Sequence, residues 1–278
     1  MMTTQKNRKT PFAKKSFGQN FLVDPNYIDK IIAALAPETG ENIVEIGPGR
    51  GALTEKLLEA RARVTAIELE RDMLAVLNER FGDSENFHLI ESDVLKFDFS
   101  ELIGPRSEIS NPGSKLVANL PYYISTAILQ KLIENRVLFS EMILMFQREV
   151  VERITAEVGS RERGFLTVLT EAFLEAEKLF DVPPNAFRPA PKVWSAIVRL
   201  KPKNEVEIAD EKLFRELISA AFAQKRKTIL NNLKNAPPEL KAKIGDAATL
   251  LERSGIEPQR RAESLAIEEW QKIIAAFA

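Results

Sequence analysis

Between about residue 25 and residue 200 the spacing of hydrophobic positions alternates between two patterns. NIVEIG (42–47), ARVTAIEL (62–69), NFHLIES (86–92), KLVANL (115–120) and EMILMFQ (141–147) are short, β-branched and almost continuously apolar. That is the pattern of buried strands. Between them, ALTEKLLEA, RDMLAVLNERF and ISTAILQKLIEN repeat their apolar residues at three- and four-residue steps, which places them on one helical face. Such alternation predicts a parallel sheet covered by helices on both sides. RGFLTVLTEAFLEAEK (163–178) reads as a further helix. KLFDV and SAIVRLK then supply two more strands, separated by the proline-rich PPNAFRPAPKVW. From about 203 only helical patterns remain: KLFRELISAAF, KTILNNL, DAATLLERSG and IEEWQKIIAAF. The expected organisation is an α/β domain over 1–202, with a basic arm at 1–20, followed by a small all-α domain over 203–278.

Composition narrows the chemistry. With no Cys and one His, disulfides, thiolate zinc sites, cysteine nucleophiles and multi-histidine metal sites drop out, and no metal is expected. The lone His88, inside the third strand pattern, is expected to be structural. No apolar run is long enough to span a bilayer, and MMTTQKNRKT lacks the apolar core of a secretory signal. A cytoplasmic monomer without membrane contact is expected. The net charge is −1, yet cations cluster: Lys6, Arg8, Lys9, Lys14 and Lys15 at the start, Arg161 with Arg163, Lys225 to Lys227, and Arg260 with Arg261. Such patches can hold a polyanion on a protein that is neutral overall.

EIGPGRG (45–51) follows the first strand and opens a helix. Glycines there permit a sharp turn and a close approach of backbone N–H groups to a ligand. The spacing of Gly47, Gly49 and Gly51 is G-x-G-x-G, unlike the dinucleotide fingerprint, and no Lys-Ser/Thr follows as in a P-loop. Glu45, two residues ahead of Gly47, would repel a pyrophosphate but attract a sulfonium or an α-amino group. Glu68 ends the second strand, where a carboxylate can accept both ribose hydroxyls, and Asp93 ends the third, within reach of an adenine edge. Either acid alone could serve as a helix cap. Glycine turn and acids at three successive strand ends together point to an adenosyl cofactor.

KKSFGQNFLVD, EIGPGRGALT, AIELERDM, ESDVLKFD, ANLPYYIST, FQREVVERI, FRPAPKVWSAIVRL and AFAQKRKTILNNL run in this order over nearly the whole chain. In these segments the sequence resembles the class I S-adenosylmethionine-dependent methyltransferases, and within them the ribosomal RNA adenine dimethyltransferase family. The resemblance implies a Rossmann-like fold with a mostly parallel seven-stranded sheet and S-adenosyl-L-methionine as cofactor. It also implies a substrate: N6 of two adjacent adenosines near the 3′ end of small-subunit ribosomal RNA, in the assembling 30S subunit. Alternatives are a macrolide-resistance methyltransferase acting on large-subunit RNA, a DNA N6-adenine methyltransferase, and a non-catalytic assembly or transcription factor.

An adenine amine is a poor nucleophile because its lone pair is delocalised into the ring. Acceptors holding both amino hydrogens favour the pyramidal geometry that attacks a methyl carbon. The resemblance places one acceptor on the Asn119 side chain and a second on the Leu120 carbonyl, with Pro121 stiffening the turn. Tyr122 offers a face on which the extruded base can stack. Phe187 is expected to cover the base from the other side, while Asn20 and Leu22 border the cofactor beside Gly47, Gly49, Glu68, Asp93 and Asn119. Phosphate contacts are expected from Lys14, Lys15, Arg148, Arg153, Arg163, Lys225, Arg226 and Lys227, the last three on a helix formed by AFAQKRKTILNNL. Trp194 and Arg163 depart from the family's usual residues at their positions, which bears on RNA docking and not on methyl transfer.

Overall fold

The computed structural model describes residues 20–103 and 113–277. Strands β1 (Phe21–Leu22), β2 (Asn42–Ile46), β3 (Arg63–Glu68), β4 (Phe87–Glu91), β5 (Ser114–Asn119) and β6 (Phe139–Gln147) alternate with helices α1 (Pro25–Leu35), α2 (Ala52–Glu59), α3 (Arg71–Phe81) and α4 (Ser125–Glu134). Helices α5 (Arg148–Ile154) and α6 (Phe165–Phe173) then lead to β7 (Leu174–Val182), β8 (Phe187–Arg188) and β9 (Ser195–Pro202). Five α-helices close the described chain: α7 (Glu211–Ala221), α8 (Ile229–Lys234), α9 (Pro238–Ile244), α10 (Ala247–Arg253) and α11 (Ile267–Ala275).

Seven strands form one sheet in the order β4-β3-β2-β5-β6-β9-β7. The pairs β2–β3, β2–β5, β3–β4 and β5–β6 are parallel. The strand order turns back between β2 and β5, the place where doubly wound sheets open a crevice at their carboxyl ends. The central strands have the apolar runs expected of a sheet covered on both faces. Ile43, Val44 and Ile46 of β2, Leu116 and Val117 of β5, and Met142 to Phe146 of β6 are all buried. Each such side chain contributes roughly 1.5–3 kcal/mol of hydrophobic stabilisation.

By density of contacts the described chain divides into two units, one running to Gln147 with Phe180–Ile197, the other comprising Arg148–Leu179 and the residues from Val198 on. In the second unit α6 ends at Phe173, and LEAEK, expected to prolong the helix, belongs to β7 instead. Glu, Ala and Lys favour helices, but pairing at the sheet edge overrides that weak preference. Strand β4 is likewise less buried than its apolar run suggests, because it forms the opposite edge, and His88 on it is exposed. AFAQKRKTILNNL is not one helix. The Asn232 side chain donates to the carbonyls of Ala221 and Gln224, Thr228 caps α8, and Lys225, Arg226 and Lys227 occupy the turn between.

Candidate active site

Strand β2 delivers Glu45 and then the glycine turn. Gly47, Gly49 and Gly51 have φ of 65°, 55° and 79°, in the left-handed region that L side chains avoid. The three differ in what surrounds them. A Cβ on Gly51 would lie 2.4 Å from the Phe81 ring, and one on Gly49 would lie 3.1 Å from the Phe21 ring. A Cβ on Gly47 would meet nothing within 4 Å. Gly51 is thus required by packing, whereas Gly47 keeps its open side toward a cleft.

That cleft has two lobes sharing Gly47, Glu68 and Pro121. The larger, about 790 Å³ and open to solvent, is walled by Asn20, Phe21, Leu22, Glu45, the glycine turn and Asn119 to Tyr122. The smaller, about 560 Å³, is walled by Ile67, Leu69, Asp93, Val94, Ile124 and Ile128 among others. Three successive parallel strands thereby bring Glu45, Glu68 and Asp93 to one opening.

Each acid is held differently. Glu45 is buried, and its Oε2 accepts the Thr54 hydroxyl at 2.6 Å. Burial raises its pKa to about 7, with the Thr54 hydrogen bond opposing and the Glu68 carboxylate adding to the rise. Glu68 accepts backbone N–H bonds from Leu69 and Glu70 on Oε1, both at 2.9 Å, and from Gly49 on Oε2 at 3.2 Å. Burial raises its pKa as well, against those three donors. The Gly49 bond couples this carboxylate to the glycine turn. Asp93 uses Oδ1 to accept from Leu95 N–H at 3.0 Å and fixes the bend after β4. A pair of buried carboxylates raised by desolvation favours a cation beside them.

At the end of β5, the Asn119 amide nitrogen donates to the Asn20 carbonyl at 3.3 Å. This bond assigns the orientation of the amide and leaves Oδ1 as its acceptor atom. Leu120 is buried, and the Ile124 N–H closes a turn onto the Pro121 carbonyl. The half-buried Tyr122 ring is tethered by its hydroxyl, 2.6 Å from Ser195 Oγ, and desolvation raises the pKa of that hydroxyl. The Ser125 hydroxyl donates to the Tyr122 carbonyl at the start of α4.

Of the residues expected here, the structure brings Asn20, Leu22, Gly47, Gly49, Glu68, Asp93 and Asn119 to Tyr122 to the walls of one cleft. Phe187 is not with them. It pairs with Leu22 in the β1–β8 ribbon and is fully buried, so it is core and its ring is not presented to a base. Arg163 is corrected too. Its side chain is 1% exposed, 2.6 Å from Glu171 and donating to the Leu265 carbonyl at 3.0 Å, which removes it from any phosphate. Arg148, Arg153 and Lys225 to Lys227 are exposed, with Arg148 3.4 Å from Glu152. Lys14 and Lys15 lie outside the described residues. Sequence reasoning missed Phe21 and Arg50, which line the larger lobe with the guanidinium 4.6 Å from the ring centroid. It also missed Ser195. The apolar pair closing FGQNFL and the Arg within GPGRG were the available signals for the first two, and nothing local marked the serine.

Comparison with known proteins follows the same lines. The profile of the family described as "Ribosomal RNA adenine dimethylase" matches residues 12–278. Proteins named "Ribosomal RNA small subunit methyltransferase A" are similar over nearly their full lengths. The one from Hahella chejuensis is 42% identical over 94% of this chain and 91% of its own, and that from Xylella fastidiosa is 44% identical over 93% of each. Among solved structures, a dimethyladenosine transferase from Plasmodium falciparum superposes with a TM-score of 0.74 and 29% identity, covering 92% of this chain and 96% of that one. A 23S rRNA methyltransferase, ErmE, shares the fold at a TM-score of 0.66 and 24% identity, covering 93% and 99%.

Proposed function

The chain belongs to the ribosomal RNA adenine dimethylase family, and from that premise we propose that it dimethylates N6 of two adjacent adenosines near the 3′ end of small-subunit ribosomal RNA during subunit assembly. S-adenosyl-L-methionine is the methyl donor in this reading. The residues present fit it: an open glycine turn at Gly47, buried acids beside the turn, and a second lobe of apolar walls edged by Asp93. Glu68 would hold the ribose hydroxyls, Asp93 the adenine edge, and Glu45 would favour the cationic end, with Asn20, Leu22 and Gly49 walling that end. When bound, the donor supplies a sulfonium methyl carbon whose leaving group is a neutral thioether.

The chain's own residues then act on the target amine. Asn119 Oδ1 and the Leu120 carbonyl accept its two hydrogens, which directs the nitrogen lone pair toward the methyl carbon. As the N–C bond forms, these oxygens disperse the positive charge on nitrogen, and the surplus proton passes to solvent. Tyr122, tethered to Ser195, provides the face for the base. No strong base is required, so positioning supplies most of the rate. That suits a site built without histidine, His88 being exposed on the edge strand.

The observation that carries this reading is the Asn119–Asn20 hydrogen bond, which assigns the amide so that oxygen is its acceptor atom in the cleft. The near-full-length relatives named for the small subunit favour that substrate over large-subunit RNA. The test is incubation of the purified chain with unmethylated small subunits and labelled donor, followed by nucleoside analysis. N6,N6-dimethyladenosine should form near the 3′ end with the native chain and not with Asn119→Ala. Formation on large-subunit RNA alone, or undiminished formation by the variant, would overturn the proposal.

A further inference from the structure

Between Asp181 and Glu205 the chain contains no acid, while Arg188, Lys192, Arg199, Lys201 and Lys203 fall within it. From Arg188, the last residue of β8, to Trp194, just ahead of β9, the chain forms a largely exposed loop, and both of its ends are fastened to the cleft. At the start, Phe187 pairs with Leu22, which lines the larger lobe. Arg188 adds two backbone bonds, its Nη1 donating to the carbonyls of Asn185 and Phe187. At the far end, Ser195 meets the Tyr122 hydroxyl at 2.6 Å. Adjacent Cα atoms are ~3.8 Å apart, so Trp194 stands one residue from that contact. Trp194 is 45% exposed and the neighbouring Val193 is 43% exposed. The other tryptophan, Trp270, is fully buried.

An exposed indole beside lysine, on a loop without acids and tied at both ends to a cleft wall, matches a stacking platform for unpaired nucleotides. In such platforms aromatic faces take bases and cations take the backbone. We infer that the Arg188–Trp194 loop binds the single-stranded RNA next to the target adenosine, with Trp194 stacking on a flanking base and Lys192 contacting a phosphate. The inference rests on the function proposed above and extends it to a subsite outside the methyl-transfer cleft.

The test measures kcat and KM on unmethylated small subunits for the native chain, Trp194→Phe, Trp194→Ala and Lys192→Ala. S-adenosylhomocysteine affinity is measured in parallel to show that each variant retains its cofactor lobe. Trp194→Ala should raise KM by roughly 5- to 150-fold, the range for loss of one stacked base, with kcat little changed. Trp194→Phe should stay within a few-fold of the native value. Lys192→Ala should lower the salt dependence of KM by about one phosphate's worth. Because Trp270 is buried, acrylamide quenching reports on Trp194, and a single-stranded oligoadenylate should shield it. If native enzyme methylates and Trp194→Ala has the same KM, the inference fails while the proposed function stands. If KM rises but oligoadenylate gives no shielding, a ribosomal protein covers the loop and the inference also fails. If the native chain methylates no RNA, both fall.

Discussion

Gly47 and Gly51 sit in one turn with similar backbone angles, yet substituting alanine should damage different properties. Gly51→Ala forces a Cβ to 2.4 Å from the Phe81 ring and 3.2 Å from Leu77. Phe81 cannot swing away freely, since it is buried and edge-packed on Phe87 with ring centroids 5.5 Å apart. The left-handed backbone costs about 1–2 kcal/mol for a residue with a Cβ, and overpacking adds roughly 1–3 kcal/mol. The expected loss is about 2–5 kcal/mol, a fall in melting temperature of roughly 5–20 °C at this chain length. Gly47→Ala carries only the backbone part, about 1–2 kcal/mol, because its Cβ enters open space. That space is where the donor is proposed to lie, so cofactor affinity should fall by about tenfold or more, or at least about 1.4 kcal/mol. Scanning calorimetry and titration with S-adenosylhomocysteine, run on both variants, separate the two effects. Equal destabilisation of the pair, or native cofactor affinity in Gly47→Ala, would refute the reasoning.

Three further outcomes are expected. The buried Glu45 has its pKa raised to about 7 from 4.5, so the folded state holds a proton that the unfolded state releases. Stability therefore falls as pH rises from about 4.5 to 7, and Glu45→Gln should recover about 3 kcal/mol at pH 8 but nothing near pH 4, read by denaturant unfolding. Removing Arg163 as Arg163→Met strands Glu171 and the Leu265 carbonyl; the chain should lose roughly 2–4 kcal/mol, and adding Glu171→Gln should restore part of it in a double-mutant cycle. Tyr122→Phe loses the Ser195 hydrogen bond, worth about 0.5–1.5 kcal/mol, but keeps the ring and should keep methylation within a few-fold. Tyr122→Ala should lower kcat/KM roughly 5- to 150-fold, and an equal loss in both variants would show that the hydroxyl and not the ring matters.

The sheet was legible wherever burial on both faces imposed a mainly apolar run, as in Met142 to Phe146 and in β2, where Glu45 alone interrupts Ile43, Val44 and Ile46. The cleft was legible because a glycine turn and acids at strand ends are local signals that a parallel sheet gathers at one edge. Tertiary contacts hid the remainder. Helix-forming LEAEK became strand through pairing at the edge. RERG reads as surface charge, yet Glu171 and the Leu265 carbonyl, distant in sequence, draw Arg163 inside. Phe187 is likewise drawn into the core through its pairing with Leu22, distant in sequence. None of these partners can be named from the residues flanking each position.

The ribbon joining Phe21–Leu22 to Phe187–Arg188 has a consequence for the order of biosynthesis. Asn20 and Leu22 leave the translating ribosome early, but the partner that holds this wall in place is made much later. At about 5–20 residues per second the delay is on the order of ten seconds. A nascent chain halted before residue 187 would carry the glycine turn, all three acids and the Asn119 bond to Asn20, and still lack the strand pairing that fastens Leu22. Donor retention should therefore switch on abruptly in a series of stalled chains, between those ending upstream of the second half of the ribbon and those that have released it.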